Sequence, residues 1–192
     1  MSHAASTVQT PLRRVGLRLQ WQLLGLATGL ICSGSAWAGK AHVHGVVSLQ
    51  LATQGQQLTV QLEAPLDSLV GFEHRPRTAA QRDAAQAALK TLGDPAQWLT
   101  LPASAQCQLS SSEIDAESLQ PAKPGTQDAA HADLFATLNY QCASIEALRA
   151  LELPLFKRFP RIKRIEVQWV TDQGQGKQTL RAPNGSLRIG QR

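Results

Sequence analysis

Hydrophobic and polar positions alternate where the folded part of the chain begins: Val43, Val47, Leu49 and Leu51 interleave with His42, His44, Ser48 and Gln50. A period of two predicts a half-buried strand. After a turn at Gln54 and Gly55, Leu58, Val60 and Leu62 alternate with Thr59, Gln61 and Glu63, so the two segments predict an antiparallel hairpin. With Gln54 and Gly55 as a two-residue turn, Thr53 opposes Gln56 and Glu63 opposes Val46, on the polar face and one diagonal step from His44.

Residues 65–72 are expected to be irregular or to form a short helical turn. Thr78 followed by Gln81 has the form of a capping box, and Ala84, Ala85, Ala88, Leu89 and Leu92 give the helix that follows an apolar face. Gly93 stops it, and Asp94 with Pro95 starts a further turn near Trp98. Residues 107–114 read as a strand, and 134–142 as another, in which Leu134, Ala136, Leu138 and Tyr140 alternate with polar positions. The segment between them, about 115–131, is polar, aperiodic and broken by Pro121, Pro124 and Gly125, which predicts a mobile loop. Residues 144–148 and 154–159 are short helical candidates. Residues 165–170 form a strand, 173–176 a turn, and 179–182 a last strand. Hairpins dominate and no βαβ rhythm is present, so the expected class is α+β: an antiparallel sheet built from hairpins, with one main helix and short helical turns packed on it.

The first 38 residues read as an export signal. Arg13, Arg14 and Arg18 precede an apolar run over 23–32, and Ala36-Trp37-Ala38 has the small-x-small form that signal peptidase accepts. The run is about half the roughly 20 residues that a membrane-spanning helix needs, so no transmembrane segment is expected in the mature chain. Ile31 before Cys32 is too large for a lipidation site. Cleavage leaves 39–192 as a single domain in the periplasm. It also removes three arginines, which takes the formal charge of the 192-residue chain from +5 to +2, too balanced for a nucleic-acid backbone binder.

Export alters the reading of the cysteines. Only Cys107 and Cys142 remain, and in an oxidising compartment two cysteines in a small domain are expected to pair. Closing a loop of about 36 residues stabilises a fold by roughly 4 kcal/mol at the upper end of the chain-entropy model. Thiolate metal ligation is the competing reading, against which stands the lack of a second Cys or His near either at zinc-site spacing.

His42, His44, His74 and His131 survive cleavage. On a strand, His42 and His44 share a face with Cα atoms about 6.7 Å apart, a span that one ion bridges. Glu63 lies on that face by the expected register, and His74 follows Glu73 in a connection short enough to fold back over the open end of the hairpin. Three neutral imidazoles and a carboxylate suit zinc, with other divalent transition metals open on ligand type alone. Glu73 is expected to orient His74 or to face solvent. The bland reading leaves His42 and His44 as polar residues at a frayed strand end.

Three stretches carry a resemblance to the ZrgA-type zinc-uptake proteins: Ala41-His42-Val43-His44-Gly45-Val46, Leu62-Glu63-Ala64-Pro65 leading into Leu69-Val70-Gly71-Phe72-Glu73-His74, and Cys142 with Leu155-Phe156-Lys157-Arg158-Phe159-Pro160. The similarity runs from about 41 to 187. It implies a periplasmic protein of Gram-negative bacteria that binds zinc and assists an ABC-type zinc importer, and it implies no catalysis. Relatives carry a histidine- and acid-rich insertion where this chain has His131 among Asp115, Glu117, Asp128 and Asp133, so one site on the hairpin, with metal ligands His42, His44, Glu63 and His74, is the expectation.

Two other classes compete. A metal-dependent hydrolase with Glu63 or Glu73 as base lacks support from any HExxH, GxSxG or Gly-rich phosphate motif, so the chain is not expected to be an enzyme. A metal-free interaction module would leave the histidines incidental. Five basic residues in eight over 157–164 read as a solvated surface, with docking to an acidic membrane partner or anionic headgroups as the alternative.

Overall fold

The two alternating segments form the expected hairpin, β1 (Val46–Gln54) and β2 (Gln57–Pro65). The computed structural model describes residues 43–120 and 133–190, all of which fall in one unit spanning 39–192. The export signal, His42, His131 and the larger part of the 115–131 loop lie outside the described residues.

Pairing within the hairpin departs from the expected register. Gln54 opposes Gln57, Leu49 opposes Leu62 and Ser48 opposes Glu63, so Gly55 and Gln56 are the turn residues. Gly55 has a φ of 57°. Glycine with positive φ at the first central position is what a type II′ turn demands, which moves the turn one residue along the chain. Partners shift by two residues, and Glu63 faces Ser48 rather than Val46 while staying on the polar face.

Proline ends β2, and α1 (Leu66–Val70) follows at once, closed by Gly71 in the left-handed conformation with a φ of 87°. The capping box at Thr78 and Gln81 is present and starts α2 (Ala79–Leu92), whose Ala85, Ala88 and Leu92 are buried. Trp98 is fully buried, and its indole N–H donates to the carbonyl of Leu92 at 3.0 Å, satisfying one of the carbonyls that a helix end leaves open. The remaining elements are β3 (Cys107–Asp115), β4 (Asp133–Cys142), β5 (Ala150–Glu152), α3 (Leu155–Arg158), β6 (Arg164–Thr171), β7 (Gly174–Arg181) and β8 (Ser186–Arg188). Part of the expected loop is built into the fold: Ala116 and Leu119 are buried around a 3-10 turn, and Arg75 donates to the carbonyls of Glu117 and Gln120.

Six strands make one sheet in the order β3-β4-β2-β1-β6-β7. The sheet is mixed, which corrects the expectation of a purely antiparallel one: β1 and β6 run parallel, from Val46 beside Arg164 to Ala52 beside Val170. The connection between them runs through β2, β3, β4 and β5 and through α1, α2 and α3, so no simple βαβ unit announces this pair. A second sheet, β5 with β8, is an element that sequence reading missed. One face of the main sheet is apolar, with Val47, Leu49, Val60, Leu62, Leu134, Leu138, Ile165 and Val167 buried in a single core with Leu92, Trp98, Leu155 and Leu187. The opposite face carries Gln50, Gln61 and Gln168 side by side.

Cys107 and Cys142 oppose each other across β3 and β4 and are joined as a disulfide, as expected for the pair. At the far edge the turn falls one step early, so Gly174 already belongs to β7, and Trp169 lies half-buried over Gly176. A Cβ on Gly176 would stand 2.4 Å from the Trp169 ring, so only glycine fits beneath it.

Candidate metal site

His44 lies in a turn that leads into β1. Val46 N donates to the Val43 carbonyl at 3.0 Å, and Gly45 has a φ of 77°, the third turn position that type II turns fill with glycine. Strand periodicity therefore does not apply at His44, and the argument that placed it on one face with His42 does not hold there. His42 is outside the described residues.

The turn is held from two directions. Gly45 N donates to Ser68 Oγ at 2.9 Å, and Ser68, in α1, is fully buried. The Gly45 carbonyl accepts from the amides of Lys163 at 2.8 Å and Arg164 at 3.0 Å, where the chain enters β6. Proline 65 starts α1 directly after β2, and Gly71 ends it after little more than one turn, so the chain comes back past His44 through Glu73.

Two carboxylates consequently flank one imidazole. His44 Nε2 donates to Glu73 Oε1 at 2.6 Å, and His44 Nδ1 stands 3.9 Å from Asp67 Oδ2. The His44 side chain is 62% exposed, against 28% for Glu73 and 15% for Asp67, so solvent reaches the ring while the acids line the floor beneath it. A carboxylate can only accept, so the proton of a neutral His44 sits on Nε2 and leaves the Nδ1 lone pair toward Asp67. Tetrahedral zinc with bonds of about 2.0–2.2 Å separates two donors by about 3.4 Å. The Nε2 and Oε1 atoms are closer than that, which makes them a hydrogen-bonded pair. The Nδ1 and Oδ2 atoms are farther apart, and an inward movement of about half an ångström brings them to bonding separation. A histidine that ligates through one nitrogen and gives its other N–H to a carboxylate is a recurrent metal arrangement.

Asp67 is itself held. Arg161 donates through Nη2 to Asp67 Oδ1 and through Nε to the Asp67 carbonyl, both at 2.7 Å. Asp67 did not stand out in the sequence, where its only pointer is an acid in the first turn after a proline, and Arg161 figured only as one member of the basic run over 157–164.

Of the other expected ligands, His74 gives Nδ1–H to the Arg75 carbonyl at 2.8 Å and stacks on Phe72, with ring centres 5.4 Å apart. Its Nε2 is thereby the nitrogen left for an ion. Glu63 sits on the polar face of the sheet between Ser48 and Phe135. Glu73 pairs with His44, not with His74 as the sequence suggested. Among the described residues, no three His, Cys, Asp or Glu side chains are gathered closely enough to hold a metal ion. His44, Asp67 and Glu73 form a partial donor set around one ring.

The basic run over 157–164 is not uniformly solvated. Arg161 is tied to Asp67, Arg158 donates to the Gln97 carbonyl and Lys163 to the Pro160 carbonyl. Among the described residues no helix is long and apolar enough to cross a membrane.

The model of one protein family, the ZrgA family zinc uptake proteins, matches residues 41–189. No curated protein matches the chain.

Proposed function

The chain belongs to the ZrgA family of zinc uptake proteins, and from that membership we propose that it captures zinc in the periplasm and passes the ion to an ABC-type importer. The observation that carries this reading is His44 set between Glu73 and Asp67, with one nitrogen protonated toward a carboxylate and the other facing a second carboxylate across 3.9 Å. Zinc bonds to Nδ1 of His44 and to Asp67, while Glu73 keeps the ring in the tautomer that exposes Nδ1. His42, two residues earlier, and His74, whose Nε2 is free of its backbone bond but which is not gathered with His44 and Asp67 among the described residues, are the further nitrogen donors. Glu63 is the reserve carboxylate on β2.

The leader-like first 38 residues and the Cys107–Cys142 disulfide are in keeping with an exported protein. The chain acts as a carrier and not as an enzyme: imidazoles and carboxylates that must move to close on an ion suit capture and release. Calorimetry of the protein purified without a histidine tag is expected to give about one zinc per chain. His44→Ala is expected to lose that equivalent, and His42→Ala and His74→Ala to weaken it. Unchanged zinc binding in His44→Ala would overturn the reading. Glu63→Gln reports whether the polar face of β2 takes part.

A further inference from the structure

One cation, Arg161, holds the carboxylate that the zinc reading needs. Asp67 has two carboxylate oxygens with separate tasks: Oδ1 receives Arg161 Nη2 at 2.7 Å, and Oδ2 is the oxygen that faces His44. Arg161 grips Asp67 at a second point, through Nε to the main-chain carbonyl, which also accepts the Gly71 amide at 3.0 Å. The guanidinium is therefore fixed against the end of α1, with Asp67 turned toward it. Arginine stays charged at any pH of interest, and its fork is suited to this two-point hold.

We propose that Arg161 sets the zinc affinity of this site by withholding Asp67, so that the ion is bound loosely enough to be handed on. The inference deepens the zinc-carrier reading and rests on it. An ion on Oδ2 would draw on a carboxylate already partly neutralised by Arg161 and would share that carboxylate with a positive charge. Both effects weaken binding. Arg161 is 54% exposed, and Asp67 is also held by its place in α1. A merely structural ion pair makes the opposite prediction: its loss would loosen Asp67 and weaken zinc binding.

The test measures zinc affinity and dissociation rate at one fixed pH and salt concentration, by competition with a chelating indicator, for the wild type, Arg161→Gln, Arg161→Lys, Asp67→Asn and the Arg161→Gln/Asp67→Asn pair. Arg161→Gln is expected to bind zinc about tenfold more tightly, with slower release. Arg161→Lys keeps the charge and is expected to stay within about threefold of the wild type, as a charged lysine still opposes the ion. In the Asp67→Asn background the Arg161→Gln change is expected to lose most of its effect, since coupled residues are non-additive. Unchanged or weaker binding by Arg161→Gln, while His44→Ala abolishes binding, overturns the proposal and leaves the zinc site standing. If His44→Ala binds zinc as the wild type does, the site reading fails and the role of Arg161 falls with it. Far-UV circular dichroism and the Arg161→Lys protein separate either result from misfolding.

Discussion

Ser68 Oγ accepts the Gly45 amide at 2.9 Å, a buried hydrogen bond that joins α1 to the turn bearing His44. Ser68→Ala removes the acceptor and leaves an amide without a partner in a place water does not reach. The loss is expected to cost about 1–3 kcal/mol, measured as a lower urea midpoint with an unchanged slope. Zinc affinity is expected to fall in the same variant, because the turn is no longer held over Asp67.

Glu73 and Asp67 flank one ring, but their consequences differ. Asp67→Asn takes away a ligand, and Glu73→Gln takes away the group that fixes the ring's proton. Loss of an orienting carboxylate typically costs about 10–100-fold in metal affinity. Calorimetric titration is therefore expected to show a decrease in that range for Glu73→Gln and a larger one for Asp67→Asn. The reverse order would put the ion on Nε2.

The disulfide closes a separation of 35 residues between an edge strand and its neighbour. Replacing Cys107 and Cys142 together by Ser is expected to lower stability by about 2–4 kcal/mol. Thermal unfolding with and without reductant checks it: the wild type should fall toward the variant's midpoint, and the variant should not respond. Zinc affinity is expected to survive, since neither sulfur is among the proposed donors.

Tyr140 is the single tyrosine of the chain. Burial pushes its phenol above the ordinary value, because the phenolate loses water when formed inside the fold. The folded group holds its proton where the unfolded one, near pH 10, gives it up, so the unfolded state binds fewer protons and stability falls as pH rises beyond that point. Absorbance of the phenolate is expected to rise later in native protein than in urea.

Much of the scaffold was legible from local chemistry. Two-residue alternation marked β1, β2, β4 and β6, and Thr78 with Gln81 marked the start of α2, because each depends on a few adjacent residues. Gly55 marked the hairpin turn but not its register, since glycine serves either central position and the type II′ geometry was decided by the strands it joins. The parallel neighbour of β1 was hidden because Ile165, Val167 and Trp169 alternate with polar residues as any half-buried strand does, and pairing is settled by partners over a hundred residues away. His44 was legible as a candidate donor, while its surroundings were not. Gly45 lifts it out of the strand pattern, α1 brings Asp67 beneath it, and Arg161 arrives from the far side of the chain, none of which leaves a periodic trace.

The parallel seam between β1 and β6 also governs how the polypeptide comes together. Until residues 164–171 are in place, β1 has a partner on one flank and bare amides and carbonyls on the other. Closing that flank waits for β6, more than a hundred residues later, so a fragment truncated before Arg164 presents a sticky template to its neighbours.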